Sequence, residues 1–400
     1  MKNPLFLLLA FTLLVASLWK LAAHPKFSRM FRLLPLPFWC YFLPMCASTL
    51  GWFPAQSPLY PLLSQHLLPV CLVLLLIGTD LKALTRLGLP ATLLMLAGSV
   101  GTIIGGMASF LLYRPWLPAE SWGAIGALTG SWIGGSANLL AVKEALNVPD
   151  SLIGPIVIVD AAVAYSWMAL LIWASTLQDG WEKFVSRWCP LRGDSTRASF
   201  GRPSVAESPR TGHRSANNLN PILPSGLVVG MGLSVAVSLI AQRLSPLLPV
   251  FGQIISGSTW TILLVTGIAL GLSLTPLRRL EPAGLPKTGT FALYVLLASI
   301  GARANFKTVA DAPVFLALGL TWILLHGICL LLAGLLLRAP LGLIATASQA
   351  NIGGPISAPI VGATYHPRLA SIGLLMAVLG NLLGTPLGLA TAFLVRSLSA

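Results

Sequence analysis

Charge is scarce in this chain. Asp, Glu, Lys and Arg make up 9% of its 400 residues, against about 25% in a soluble globular domain. With 56% hydrophobic residues and a mean hydropathy of +0.83, a water-soluble fold is excluded. Acidic residues are the scarcest class, 11 against 25 Lys and Arg. The resulting charge of +14 does not point to nucleic acid. The basic residues sit in short loops, where anionic lipid and the positive-inside rule account for them. Cysteine is sparse too. Cys40, Cys46, Cys71, Cys189 and Cys329 are odd in number and scattered, so they form neither a disulfide framework nor a metal spacing. Enzyme signatures are missing: no His-Glu-x-x-His, no Gly-x-x-x-x-Gly-Lys, no Gly-x-Ser-x-Gly with a base. The five histidines lie in different segments. The chain reads as no enzyme.

What is abundant is long apolar runs. They fall at Pro4–Ala22, Leu33–Phe53, Pro61–Gly78, Leu89–Tyr113, Trp122–Ala145 and Ser151–Leu177, then at Pro221–Gln242, Thr259–Leu277, Thr288–Ile300, Pro313–Leu337, Leu341–Ala363 and Leu369–Val395. The first run is long enough to span, and Lys20, Lys26, Arg29 and Arg32 follow it as a stop-transfer cluster, so a retained helix is expected rather than a signal peptide. Between Gln178 and Asn220 the chain turns polar, with seven basic residues and no helical periodicity. This divides it into a first membrane repeat (1–177), a cytoplasmic linker (178–220) and a second membrane repeat (221–400).

Two runs carry an unusual centre. Gly130-Ser131-Trp132-Ile133-Gly134-Gly135-Ser136-Ala137-Asn138 and Ser348-Gln349-Ala350-Asn351-Ile352-Gly353-Gly354-Pro355 each put Ile-Gly-Gly and an Asn into apolar surroundings. Such segments suit helices that break at membrane depth. Paired breaks in matching positions point to a transporter's binding site. The halves match further: Leu72–Leu81 lines up with Tyr294–Arg303 with one gap, each followed by a turn, a long helix, the Ile-Gly-Gly segment and another long helix.

Charge decides between topologies. If all twelve runs cross, the Lys and Arg residues divide 11 to 14 between the faces. If the two Ile-Gly-Gly segments dip in and return, they divide 18 to 7, as the positive-inside rule asks. The same assumption makes the halves an inverted repeat. The expected fold is an all-α polytopic membrane protein with about ten transmembrane helices, two broken, re-entrant Gly-Gly segments, and the linker in the cytoplasm.

Candidate solute-binding residues are Ser131, Gly134, Gly135, Ser136 and Asn138 at the first break, and Ser348, Gln349, Asn351, Gly353 and Gly354 at the second, with Ser357 beside it. The alternative is tight packing by small residues. Asp160, in Ile156–Val163, is an acid about 13 Å into its helix, where acids mark ion pathways; the alternative is a structural hydrogen-bond acceptor for the neighbouring break. Asn381 occupies the comparable helix of the second half. The two form the candidate ion site, since hard cations take oxygen ligands. Lys143 and Glu144 read either as a pair at the mouth or as a solvated turn. Asp80, with Lys82 and Arg86, reads as a loop face, and His326 as a packed, hydrogen-bonded histidine.

The two glycine segments, extended to Ala127 and Ala347, and Gly380-Asn381-Leu382-Leu383-Gly384-Thr385 together resemble the uncharacterised YjcL-like integral membrane proteins. That family is similar, distantly, to glutamate/sodium, 2-hydroxycarboxylate/sodium and bile-acid/sodium symporters. The resemblance implies inverted repeats, broken helices and cation-coupled transport of small organic anions. Where members have Ala-Asp-Asn after the first break, this chain has Val159-Asp160-Ala161: the acid is kept and the amide is lost. The expected function is a secondary active transporter in a bacterial-type inner (plasma) membrane, with no cofactor beyond a coupling Na+ or H+. Its expected partners are the bilayer, a small-molecule solute and a second copy in a homodimer, and no nucleic acid. A non-transporting scaffold or a membrane-embedded enzyme is the alternative.

Overall fold

In lipid a backbone group has no partner outside the chain, so each apolar run closes its own hydrogen bonds as a helix. The computed structural model describes residues 3–27, 30–31, 36–54, 56–79, 81–188, 224–250, 256–277, 284–303 and 312–398, and among them there is no strand. The helices are α1 (Pro4–Ala23), α2 (Leu36–Thr49), α3 (Leu59–Leu76, with a π stretch at Leu63–Leu67), α4 (Leu89–Tyr113), α5 (Ser121–Gly134), α6 (Ser136–Ala145), α7 (Asp150–Trp173) and α8 (Gln178–Trp188). After the linker come α9 (Pro224–Leu244), α10 (Gly257–Ser273), α11 (Leu285–Arg303), α12 (Ala312–Leu336), α13 (Leu341–Ile352), α14 (Gly354–Tyr365) and α15 (Pro367–Ser397).

Local chemistry sets several ends. Asn3 caps α1, its side chain accepting from Leu5 N at 2.9 Å, with Pro4 at the first helical position. Ser256 and Thr259 form a reciprocal cap on α10. Among the described residues, α1, α3, α4, α7, α9, α11, α12 and α15 are long and apolar enough to cross a membrane. This is an all-α polytopic membrane protein. The other two runs expected to cross fold as shorter helices, α2 with 14 residues and α10 with 17. At 1.5 Å per residue the described part of α2, which begins beside the undescribed residues 32–35, reaches about 21 Å and α10 about 26 Å, against a ~30 Å hydrocarbon core. Among the described residues, eight helices are long enough to span. Outward-facing Leu96, Val100 and Ile104 on α4, and Leu320, Leu324 and Ile328 on α12, are exposed, as lipid-facing positions should be.

Both Ile-Gly-Gly runs break, and both fold back. A Cβ placed on Gly123 would lie 2.9 Å from Val148, and one on Gly130 would lie 3.1 Å from Val142. Residues 25 and 12 apart in sequence touch only if α5 and α6 form a hairpin. In the second run a Cβ on Gly342 would lie 2.7 Å from Tyr365 Cβ, so α13 and α14 form another. The hairpins open at opposite ends of the molecule. Asp150, just after α6, starts α7; Tyr365, ending α14, donates to Leu171 O near the far end of α7 at 2.5 Å. At the first end, Ser256 and Thr259 donate to Ala145 O at 3.2 and 3.0 Å, and Arg114 donates to Leu398 O at 3.1 Å.

The helices sort into two bundles. α1–α3 pack mainly with α9–α11, and α4–α7 mainly with α12–α15. The segment taken from the sequence to begin the linker is helical as far as Trp188. Trp181, Phe184 and Val185 recur at i, i+3 and i+4, a short apolar stripe masked in the sequence by the charged residues between them, and Trp181 Nε1 donates to Ala339 O at 3.0 Å. The remainder of the linker to Asn220, and Asp80, lie outside the described residues.

Candidate functional site

The first break is set by one backbone angle. Gly135 takes φ +85°, a conformation that is cheap only without a Cβ. Helix α5 ends there with Gly135 N donating to Ser131 O at 2.6 Å, and α6 restarts with Asn138 N donating to Gly135 O at 2.9 Å. The Asn138 side chain supplies what the break removes. Its Nδ2 donates to Gly134 O at 2.6 Å, and its Oδ1 accepts from Thr385 Oγ1 on α15 at 2.6 Å. Buried backbone groups demand such partners.

Helix α15 comes close because both surfaces are glycine. Gly126, Gly130 and Gly134 on α5 face Gly380, Gly384 and Gly388. A Cβ on Gly384 would lie 2.8 Å from Gly134 Cα, and one on Gly388 would lie 2.8 Å from Gly126 O. The small-residue packing weighed in the sequence is therefore present, and Gly134 belongs to it. Asn381 sits on the same helix, its Oδ1 4.0 Å from where a Gly135 Cβ would be.

On the other side stands Asp160, which accepts from Ser131 Oγ at 3.1 Å. With Ser136, Leu139, Leu140 and Val157 it lines one wall of a cavity of about 20 Å³, whose other wall is Pro37, Leu293, Tyr294 and Leu297. The walls belong to different bundles, so the cavity lies on the seam between them. It has room for a water or a bare cation and none for an organic solute. Its lining contains no basic residue, so a charge on Asp160 is not balanced by the protein there. Among the described residues no three His, Cys, Asp or Glu converge.

The second break is organised differently. Gly354 takes φ +67°, and the polar residues of α13 bond inward. Ser348 Oγ meets Trp167 Nε1 at 2.8 Å and His326 Nε2 at 3.0 Å. The opposite ring nitrogen of His326 is 3.0 Å from both Thr102 Oγ1 and Gly98 O, which fits the packed histidine expected. Asn351 accepts from Ser99 Oγ at 2.9 Å and donates to Ala347 O at 3.1 Å. Gln349 Nε2 donates to Ser357 Oγ at 2.8 Å, and its Oε1 is buried without a partner. Gly353 lies directly against Gln349 and Ser357. Ser348, Gln349 and Asn351 are all within 2% of full burial.

The structure thus brings Ser131, Ser136, Asp160 and Asn381 to the first break, with Asn138 as its internal brace. It keeps Ser348, Gln349 and Asn351 in a separate network. Helix α7 joins the two, carrying Asp160 to one break and Trp167 to the other. Met95 also links them: its backbone O accepts from Asn351 Nδ2 at 3.3 Å, and its methyl would lie 2.8 Å from a Gly380 Cβ.

Two features were missed from sequence. Tyr294 and Leu297 gave no signal, being apolar members of an apolar helix. Thr385 was visible only as part of a longer match. Of the two readings of Lys143, the pair holds and the solvated turn does not: it is 5% exposed and pairs with Glu144 at 3.7 Å, and also with Asp150 at 2.9 Å.

Comparison with known proteins agrees with this description. The chain is 25% identical over 360 residues, covering 86% of both sequences, to "Uncharacterized membrane protein YjcL" of Bacillus subtilis (strain 168). It matches the family described as "Protein of unknown function (DUF819)" over residues 7–398. This integral membrane protein belongs to the DUF819 family.

Proposed function

We propose that the protein is a secondary active transporter of the inner (plasma) membrane that couples Na+ or H+ to the movement of a small organic anion. The observation that carries the reading is the first break: a helical hairpin tip interrupted at Gly135, with hydroxyls and a carboxylate beside it, set on the seam between two helical bundles. Freed backbone at membrane depth holds ions and solutes where a cavity covers it. Asp160 and the Ser131 and Ser136 oxygens suit a small hard cation, while Asn381 lies across the break, outside the lining of that cavity. The cavity is closed to a solute in this conformation, as one state of an alternating cycle would be.

Helix pairing supports an inverted repeat. α4 packs on α12, and α3 on α11; α4 meets α15 as α12 meets α7; α2 meets α11 as α10 meets α3. These pairings have counterparts when the halves are exchanged, whereas the packing of α14 on α15 is not matched between α6 and α7. The hairpins entering from opposite ends fit the same symmetry. The linker is then cytoplasmic, on the face that collects most of the Lys and Arg. The test is uptake of radiolabelled organic anions into liposomes holding the purified protein, with imposed sodium or proton gradients. Saturable, gradient-dependent uptake is expected. Binding without gradient-dependent accumulation would favour a scaffold.

A further inference from the structure

Three charged groups cross the seam at one end of the molecule. Asp150, at the start of α7, pairs through one oxygen with Lys143 Nζ at 2.9 Å and through the other with Arg303 Nη2 at 2.5 Å. Arg303 ends α11, in the opposite bundle, and its guanidinium lies 5.9 Å from the Tyr60 ring centre on α3. Lys143 and Asp150 are nearly buried, while the Arg303 side chain is 32% exposed. It borders an open cavity of about 430 Å³ lined by Gln56, Ser57, Tyr60, Pro61 and Asp150.

The position of this pair matters. Counting along α11, Arg303 lies six residues, about 9 Å, beyond Leu297 of the Asp160 cavity. Counting along α7, Asp150 lies seven residues, about 10 Å, before Val157 of the same cavity. Two helices from different bundles therefore agree: the ion pair stands on the seam between the open cavity and the closed one. The bundles cannot part along this line while Asp150 holds Arg303. Once they part, Asp150 keeps Lys143 as its partner, and Arg303 turns to water. Neither charge is stranded, so the contact can be broken and remade.

We infer that Asp150 and Arg303 form a releasable latch that closes the route from the open cavity to the Asp160 cavity. The latch rests on bundle packing and stands whether or not the protein transports. Its test is the rate at which a water-soluble maleimide labels Ser136→Cys in lipid nanodiscs, read by mass spectrometry at residue 136. Asp150→Asn and Arg303→Gln should each speed labelling at least ~5-fold, and Arg303→Lys, which keeps the charge, should not. Combining the two fast variants should add nothing, because both break one contact. Raising salt from ~0.01 to ~1 M shrinks the Debye length from about 30 to 3 Å and should speed labelling of the otherwise native protein, without any further substitution. Unchanged rates in the single variants, additive increases in the double variant, or an equal rise at the native Cys329 of α12 would each overturn the latch. The last outcome would show general loosening instead.

Discussion

Replacing Gly384 by Ala tests the glycine seam that holds α15 against the first break. The new Cβ would sit 2.7 Å from Asn138 Cγ and 2.8 Å from Gly134 Cα. Neither neighbour can give way: one is backbone, and the other is tied by hydrogen bonds to Gly134 O and Thr385. Helix α15 must back away. Overpacking of this kind costs about 1–3 kcal/mol, and weakening the Asn138–Thr385 bond adds about 1 kcal/mol. The helix itself gains about 0.5–1 kcal/mol from losing a glycine, so the net expectation is a loss of about 1–3 kcal/mol. Gly271, inside α10, is the control, since nothing lies within 4 Å of its added Cβ. Gly271→Ala should gain about 0.5–1 kcal/mol from helix propensity. Thermal unfolding of both variants in the same detergent should therefore shift in opposite directions, by a few degrees. If Gly384→Ala melts at or above the parent, or if the two shift alike, the close approach of α15 is not what holds this break.

Asp160→Asn should abolish any sodium-dependent rise in melting temperature without unfolding the protein, because Asn nearly keeps the shape and can still meet Ser131. An ion at 100 times its dissociation constant stabilises by about 2.7 kcal/mol, so the parent's shift is measurable, and the same shift in the variant would remove Asp160 from the ion site. Since proton and sodium compete for one carboxylate, the parent's sodium shift should shrink as pH falls; a pH-independent shift would contradict this. Gly353→Leu should insert normally, since leucine raises hydrophobicity, yet lose uptake, because its side chain meets Gln349 and Ser357; full uptake would show the tip tolerates bulk. Single cysteines at Ser57 and Ser204 should label from opposite sides of intact cells, and equal labelling from outside would refute the proposed orientation.

The two breaks were legible because glycine pairs have few other uses inside an apolar run. The ends of α4, Leu89 and Tyr113, were legible because polar turns flank them. The hairpin fold-back was reachable only through charge counting, since no local residue records the direction a chain leaves a turn. The Asp150–Arg303 pair was not legible: its members are 153 positions apart, and each alone looks like a loop charge. Nor was the difference between the breaks. Both breaks carry Ile-Gly-Gly with a serine just before it, but Asp160 stands beside Ser131 at the first, and Trp167 and His326 stand beside Ser348 at the second. That depends on which face of α7 and α12 turns inward, in runs whose every face is apolar.

Helix α7 has one more consequence. Asp160 and Trp167 lie seven residues apart, two turns along one side of a single rod. One touches Ser131 of the first hairpin, and the other touches Ser348 of the second. Sliding or rolling this rod changes both contacts together, so the hairpins share a common mechanical reference. A shift of α7 at the carboxylate would therefore also reach Ser348, on the hairpin that opens toward the opposite end.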